Sequence, residues 1–192
     1  MDRKSLIVLI IAIVVIIIIS YKMTGNVVQQ DTRVKLTTSE GDIVIELYAE
    51  ESPITVENFL NYVNEGSYDG TVFHRVIEGF MIQGGGFSSD GEKVSAHDPI
   101  KLESANGLKN DKYTVAMART AVPDSATNQF FINVADNDFL NFGVRDQGYA
   151  VFGKVIEGKD VVDKIAARQT TTKNGMENWP VDDVIIVKAE VV

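Results

Sequence analysis

FHRVIEGFMIQGGG, residues 73 to 86, decides the reading of this chain. Two short apolar runs, FHRVI and FMIQ, lie on either side of Glu78 and Gly79, and each is the length of a strand. Side chains alternate along a strand, so Met81 and Gln83 share one face. Further along, QFFINV (129 to 134) repeats the pattern: Gln129 and Phe131 share a face, while Phe130 and Ile132 point the opposite way. One face reads as core. The other mixes amide, thioether and aromatic groups next to Arg75, which suits a binding groove.

Outward from this stretch, RVKLTTSEGDIVIELY (33 to 48) keeps a period of two in Val34 and Leu36, then in Ile43, Ile45 and Leu47, around a tight turn at Ser39 to Asp42. Ser52 and Pro53 supply an N-cap and first helical residue for a helix carrying Val56, Phe59, Leu60 and Val63. Short runs follow in YTVAMAR, YAVFGKVI and DVIIVKAEVV, interrupted by a second helix over Lys159 to Ala167. Many strands and two helices, without regular alternation, predict a mainly β fold: a closed antiparallel barrel with helices over its ends.

The amino-terminal segment is of another kind. Leu6 to Ile19 is an unbroken apolar run with no polar face, too apolar for a small domain to absorb. It predicts one transmembrane helix within residues 1 to 23, followed by a polar linker over 24 to 32 and a folded domain over 33 to 192. Fourteen residues also fit the apolar part of a signal peptide, so secretion after cleavage is the alternative. The lack of an Ala-x-Ala pattern, and Tyr21, Lys4 and Lys22 at the ends, favour a retained anchor. Arg3 and Lys4 put the short end in the cytoplasm, making this a single-pass protein of the cell membrane with its domain extracytoplasmic.

Composition removes several chemistries. The 192 residues hold no cysteine, which excludes disulfides, thiolate ligands and thiol nucleophiles. Net charge is −9, or −11 beyond residue 30, which argues against nucleic acid as partner. His74 and His97 are too few for a zinc site, and no metal is expected. Gly84 to Gly86 lack the following helix that a phosphate loop needs, and Asp136 and Asp138 lack the glycine and terminal glutamate of a calcium loop. No Ser-His-Asp or paired-carboxylate spacing supports hydrolysis.

FHRVIEGFMIQGGG and MARTAVPDSATNQFFINVADNDFLNF (117 to 142) resemble the two signature regions of the cyclophilins, particularly their compact prokaryotic members. The resemblance runs from about Arg33 to Val192. It implies an eight-stranded barrel capped by two helices and peptidyl-prolyl cis/trans isomerase activity without a cofactor, on proline-containing polypeptides. It makes Arg75 the catalytic guanidinium and gives Phe80, Met81, Phe131 and Leu140 the walls of a proline pocket. Gln83 and Gln129 would bond the substrate backbone, Ala118 would contact the substrate, and Arg119 would hold the peptide through main-chain groups, so that the identity of its side chain matters less. Phe139 and Tyr149 complete the rim.

Those last two positions depart from the eukaryotic pattern of tryptophan and histidine. Phe139 has no indole N–H to donate, so weak cyclosporin binding is expected. The resemblance implies a folding catalyst, expected to be a monomer; the rival reading is a chaperone or assembly module that holds proline segments with turnover incidental.

Overall fold

The computed structural model describes residues 32–192. The expected transmembrane helix, and with it most of the linker, lies outside the described residues. Among the described residues, no helix is long and apolar enough to cross a membrane.

Alternation along the first hairpin becomes a two-sided sheet edge. β1 (Arg33–Thr38) pairs antiparallel with β2 (Gly41–Leu47), setting Val34 opposite Ile45 and Leu36 opposite Ile43. All four side chains are fully buried. α1 (Pro53–Asn64) then turns Val56, Phe59, Tyr62 and Val63 inward. Ser52 sits at its N-cap but does not cap it; its hydroxyl donates to the Val151 carbonyl at 2.7 Å. The cap comes from a distant carboxylate, since Glu103 accepts from the Ile54 and Thr55 amides at 3.1 and 2.8 Å and from the Thr55 hydroxyl at 2.6 Å.

The rest of the sheet is short strands: β3 (Thr71–Val72), β4 (Arg75–Ile77), β5 (Met81–Gly84), β6 (Thr114–Met117), β7 (Phe130–Asn133), β8 (Val151–Glu157) and, after α2 (Lys159–Ala166), the last sheet strand β11 (Ile185–Val191). β9 (Thr170–Lys173) and β10 (Met176–Pro180) form a separate hairpin. Gly158 starts α2 in the left-handed region at φ 78°, where a Cβ would stand 2.1 Å from the Asp42 carbonyl oxygen.

The expectation of eight strands in a closed barrel is corrected to a curled sheet of nine, in the order β3-β11-β1-β2-β8-β6-β7-β5-β4, with every pair antiparallel. No ladder among the described residues joins β4 to β3. The two end strands are instead consecutive in the chain, linked by Phe73 and His74. Residues 71 to 77, TVFHRVI, therefore divide between two strands: the Phe73 amide bonds the Val184 carbonyl at 2.9 Å, whereas Arg75 pairs with Gln83 on the other side.

The sheet's two faces carry two apolar clusters. The larger gathers Ile43, Ile45, Phe59, Tyr68, Ile82, Phe130, Ile132 and Phe152 beneath the helices. Phe59 lies 5.0 Å from Phe152 and 5.5 Å from Phe130, centroid to centroid. Each such ring contributes about 1.5–3 kcal/mol on burial. The smaller cluster holds Met81, Ala116, Phe131, Leu140 and Val151. That cluster is the floor of the site.

Candidate active site

Strand register assembles the floor. Arg75 is opposite Gln83, Gln83 opposite Phe131, Phe131 opposite Ala116, and Ala116 opposite Val151, a single row across five strands. Met81 lies one step along on the same face, opposite Ile77 and Asn133. The intervening residues Val76, Ile82 and Ile132 point into the large core and fix the row from behind. Alternation in the sequence thus becomes a surface.

Above this row lies a groove of about 360 Å³, lined by Arg75, Phe80, Met81, Gln83, Ala118, Arg119, Phe131, Phe139, Leu140, Arg145 and Tyr149. Ten of the eleven candidates read from the sequence line it. Gln129 stands next door, its side-chain oxygen accepting from Gln83 Nε2 at 2.8 Å. Met81, Phe131 and Leu140 are nearly inaccessible, while Phe139 is 43% exposed on the rim. Phe80 and Phe139 stack at 5.6 Å, and Phe131 meets Tyr149 edge-on at 5.6 Å.

Arg75 is half-buried, its Nη1 3.4 Å from the Gln83 side-chain oxygen and 3.9 Å from the Met81 sulfur. Its guanidinium carbon lies 5.9 Å from the Phe80 ring centroid. No ion pair to Arg75 exists among the described residues. A cation whose neighbours are only weak, neutral acceptors and a ring keeps N–H groups available to an incoming acceptor.

The Arg119 side chain is only 4% exposed, contrary to the expectation that its identity matters little. It donates through Nε to the Gly148 carbonyl at 2.8 Å, through Nη1 to the Thr120 carbonyl at 2.9 Å, and through Nη2 to Asp146 at 2.9 Å. Its guanidinium also lies 4.7 Å from the Tyr149 ring centroid. Arg119 therefore ties the 141–148 loop to the end of β6. The Gly148 amide, donating at 2.7 Å, together with the cations Arg119 and Arg145, holds the Asp146 carboxyl below the usual carboxylate range. Gly148 itself adopts φ 66°, and a Cβ there would stand 2.6 Å from the Phe142 nitrogen.

Sequence reading missed the asparagines that hold the walls. Asn137 donates to the Phe80 carbonyl and to the Asn133 side chain, both at 2.8 Å, and Asn110 donates to the Leu140 carbonyl at 3.2 Å. Asn133, wholly buried, donates to the Thr114 hydroxyl at 2.9 Å. Single asparagines carry no periodic signal of their own, so nothing in the local sequence pointed to them. Arg145 was missed as well, since nothing in its neighbourhood alternates.

His74, next to Arg75, is 4% exposed and its ring meets Phe87 edge-on at 4.7 Å. Burial lowers its pKa to about 4, so it is neutral at physiological pH. Its Nδ1 has no hydrogen-bond partner among the described residues.

Comparison with known proteins agrees with this geometry. The family described as "Cyclophilin type peptidyl-prolyl cis-trans isomerase/CLD" matches residues 33–191. Peptidyl-prolyl cis-trans isomerase A of Dickeya dadantii is 53% identical over 161 residues, covering 84% of this chain and 85% of that protein. Peptidyl-prolyl cis-trans isomerase B of Escherichia coli is 53% identical over 152 residues, covering 78% and 93%. Among solved structures, a Cryptosporidium parvum cyclophilin type peptidyl-prolyl cis-trans isomerase, crystallised in the presence of the dipeptide Ala-Pro, superposes with a TM-score of 0.70 at 28% identity, covering 83% of this chain and 98% of that one. A family match across nearly the whole folded domain, and bacterial relatives above 50% identity, place this chain in the cyclophilin-type peptidyl-prolyl cis-trans isomerase family.

Proposed function

We propose that the chain catalyses cis/trans rotation of X-Pro bonds in polypeptides, with Arg75 as the donor that stabilises the twisted bond. Rotation about a peptide bond faces a barrier of about 18–20 kcal/mol, because resonance gives the C–N bond double-bond character. Twisting localises the nitrogen lone pair, so a hydrogen-bond donor aimed at that nitrogen favours the transition state over either planar state. Arginine cannot deprotonate and needs no partner to stay charged.

The observation that carries the reading is the unpaired Arg75 guanidinium beside an apolar socket made by Phe80, Met81, Phe131 and Leu140. The socket suits a pyrrolidine ring. Gln83 and Gln129, joined by their 2.8 Å bond, and the edge at Ala118 and Arg119 suit the peptide on either side. An acceleration of about 10⁵ requires about 7 kcal/mol of barrier lowering, within reach of preorganised donors in a partly dry pocket. The test is protease-coupled isomerisation of a proline peptide. Wild-type protein accelerates it and Arg75→Ala does not, while both bind the peptide; equal rates in the two would refute the assignment.

We further propose that the apolar segment Leu6 to Ile19 anchors the domain outside the cytoplasm, where it acts on folding extracytoplasmic proteins. The run of fourteen apolar residues and the basic Arg3 and Lys4 before it support this.

A further inference from the structure

We propose that the groove selects proline segments carrying a carboxylate within a few residues of the proline, and that Arg145 is the residue that reads it. The inference rests on the isomerase reading of the groove and names its preferred substrate class.

Three cations line the groove, Arg75, Arg119 and Arg145, and no carboxylate does. This is a local reversal in a chain of net charge −9. The three differ in what they have left to give. Arg119 is spent, its N–H groups already committed to Gly148, Thr120 and Asp146. Arg75 faces the proline socket.

Arg145 stands on the rim with its side chain 57% exposed, its guanidinium carbon 5.6 Å from the Phe139 ring centroid. Among the described residues its only carboxylate contact is Nε to Asp146 at 3.6 Å, a long and exposed approach worth little. Asp146 is meanwhile held by the Gly148 amide and by Arg119. The guanidinium edge of Arg145 is thus left for a partner, and it borders both the groove and the adjoining cavity lined by Arg119, Thr120, Pro123, Gln147 and the already engaged Asp146. Arg145 lines the same groove as the proline socket, which puts it within reach of the residues next to a bound proline.

Acidic residues elsewhere on the domain do not cancel the effect. The Debye length at physiological salt is about 8 Å, so distant surface charges are screened, whereas a carboxylate in contact with Arg145 and near Arg75 is not.

The test uses the full chain in mild detergent and a peptide series with one X-Pro core flanked by Glu, Gln or Lys at each neighbouring position. Both kcat/KM and dissociation constants are measured at low and at high salt. The wild type favours the best Glu peptide over its Lys counterpart by about fivefold, a preference that shrinks as salt rises. Arg145→Gln cuts that ratio at least by half, Arg145→Lys retains most of it, and Arg145→Glu inverts it. The comparison is a ratio within each variant, so a general loss of activity does not imitate it. A wild-type ratio of one, or an Arg145→Gln ratio equal to wild type, overturns the proposal. Binding with the Glu preference but without turnover would refute the isomerase reading and leave the charge preference standing; turnover without any preference would do the reverse.

Discussion

A guanidinium that is 4% exposed survives burial only when its N–H groups find acceptors, and Arg119 has three oxygens and a ring. Arg119→Ala releases the 141–148 loop and leaves the Gly148 carbonyl unpartnered. Loss of charge-assisted bonds of this kind costs about 1.5–3 kcal/mol, read as a lower urea midpoint, and KM should rise as the groove wall loosens. His74 supplies a pH dependence. Its folded pKa of about 4 lies below the usual 6.5, so as pH falls the unfolded chain takes up the proton first. Its contribution is complete above pH 6.5 and declines through the window down to 4. At pH 5 the loss is about 2 kcal/mol, and His74→Phe should flatten that part of the stability profile. On the rim, Phe139 presents an exposed ring without a donor. Cyclosporin should inhibit only weakly; a nanomolar inhibition constant would contradict that reading.

At the scale of elements, α1 depends on a residue 48 positions away from Thr55: Glu103 alone accepts both first-turn amides. Glu103→Ala should cost about 1–2 kcal/mol in thermal or urea unfolding, while Ser52→Ala acts instead by removing the hydroxyl that donates to the Val151 carbonyl and accepts from the Asn106 side-chain amide. Local sequence pointed to Ser52, and tertiary structure chose Glu103. Legibility elsewhere followed the same division. The β1–β2 hairpin, α1, α2 and the faces of β5 and β7 were readable because burial on one side imposes a period. β9 and β10, TTTK and MENWP, show no alternation of buried and exposed residues and impose no such period. Their signal lay in the turn, where Asn174 and Gly175 take φ 53° and 75°, the positive pair that a two-residue hairpin loop demands. Trp179 then anchors the hairpin, buried and donating to Asp183 at 2.7 Å. The groove floor was legible as alternation; the supporting roles of Asn110, Asn133, Asn137 and the Arg119 side chain were not, because they act mainly through hydrogen bonds to groups distant in sequence.

For the molecule as a whole, topology and chemistry are separate claims with separate tests. External protease should remove the 33–192 domain from intact cells if the apolar segment holds it outside the cytoplasm; protection until lysis would place it inside. The chemical claim concerns one guanidinium on a register-built floor, where rigidity of the sheet keeps the donor aimed at a single point. The most direct measurement is protease-coupled isomerisation by Arg75→Lys, which keeps the positive charge but replaces the planar fork with a compact ammonium on a different stem. A directed guanidinium donor predicts a loss of about 10²-fold in kcat/KM with peptide affinity nearly unchanged. A lysine variant that isomerises within about threefold of wild type would show that charge alone suffices and would contradict the role of Arg75 as an aimed donor.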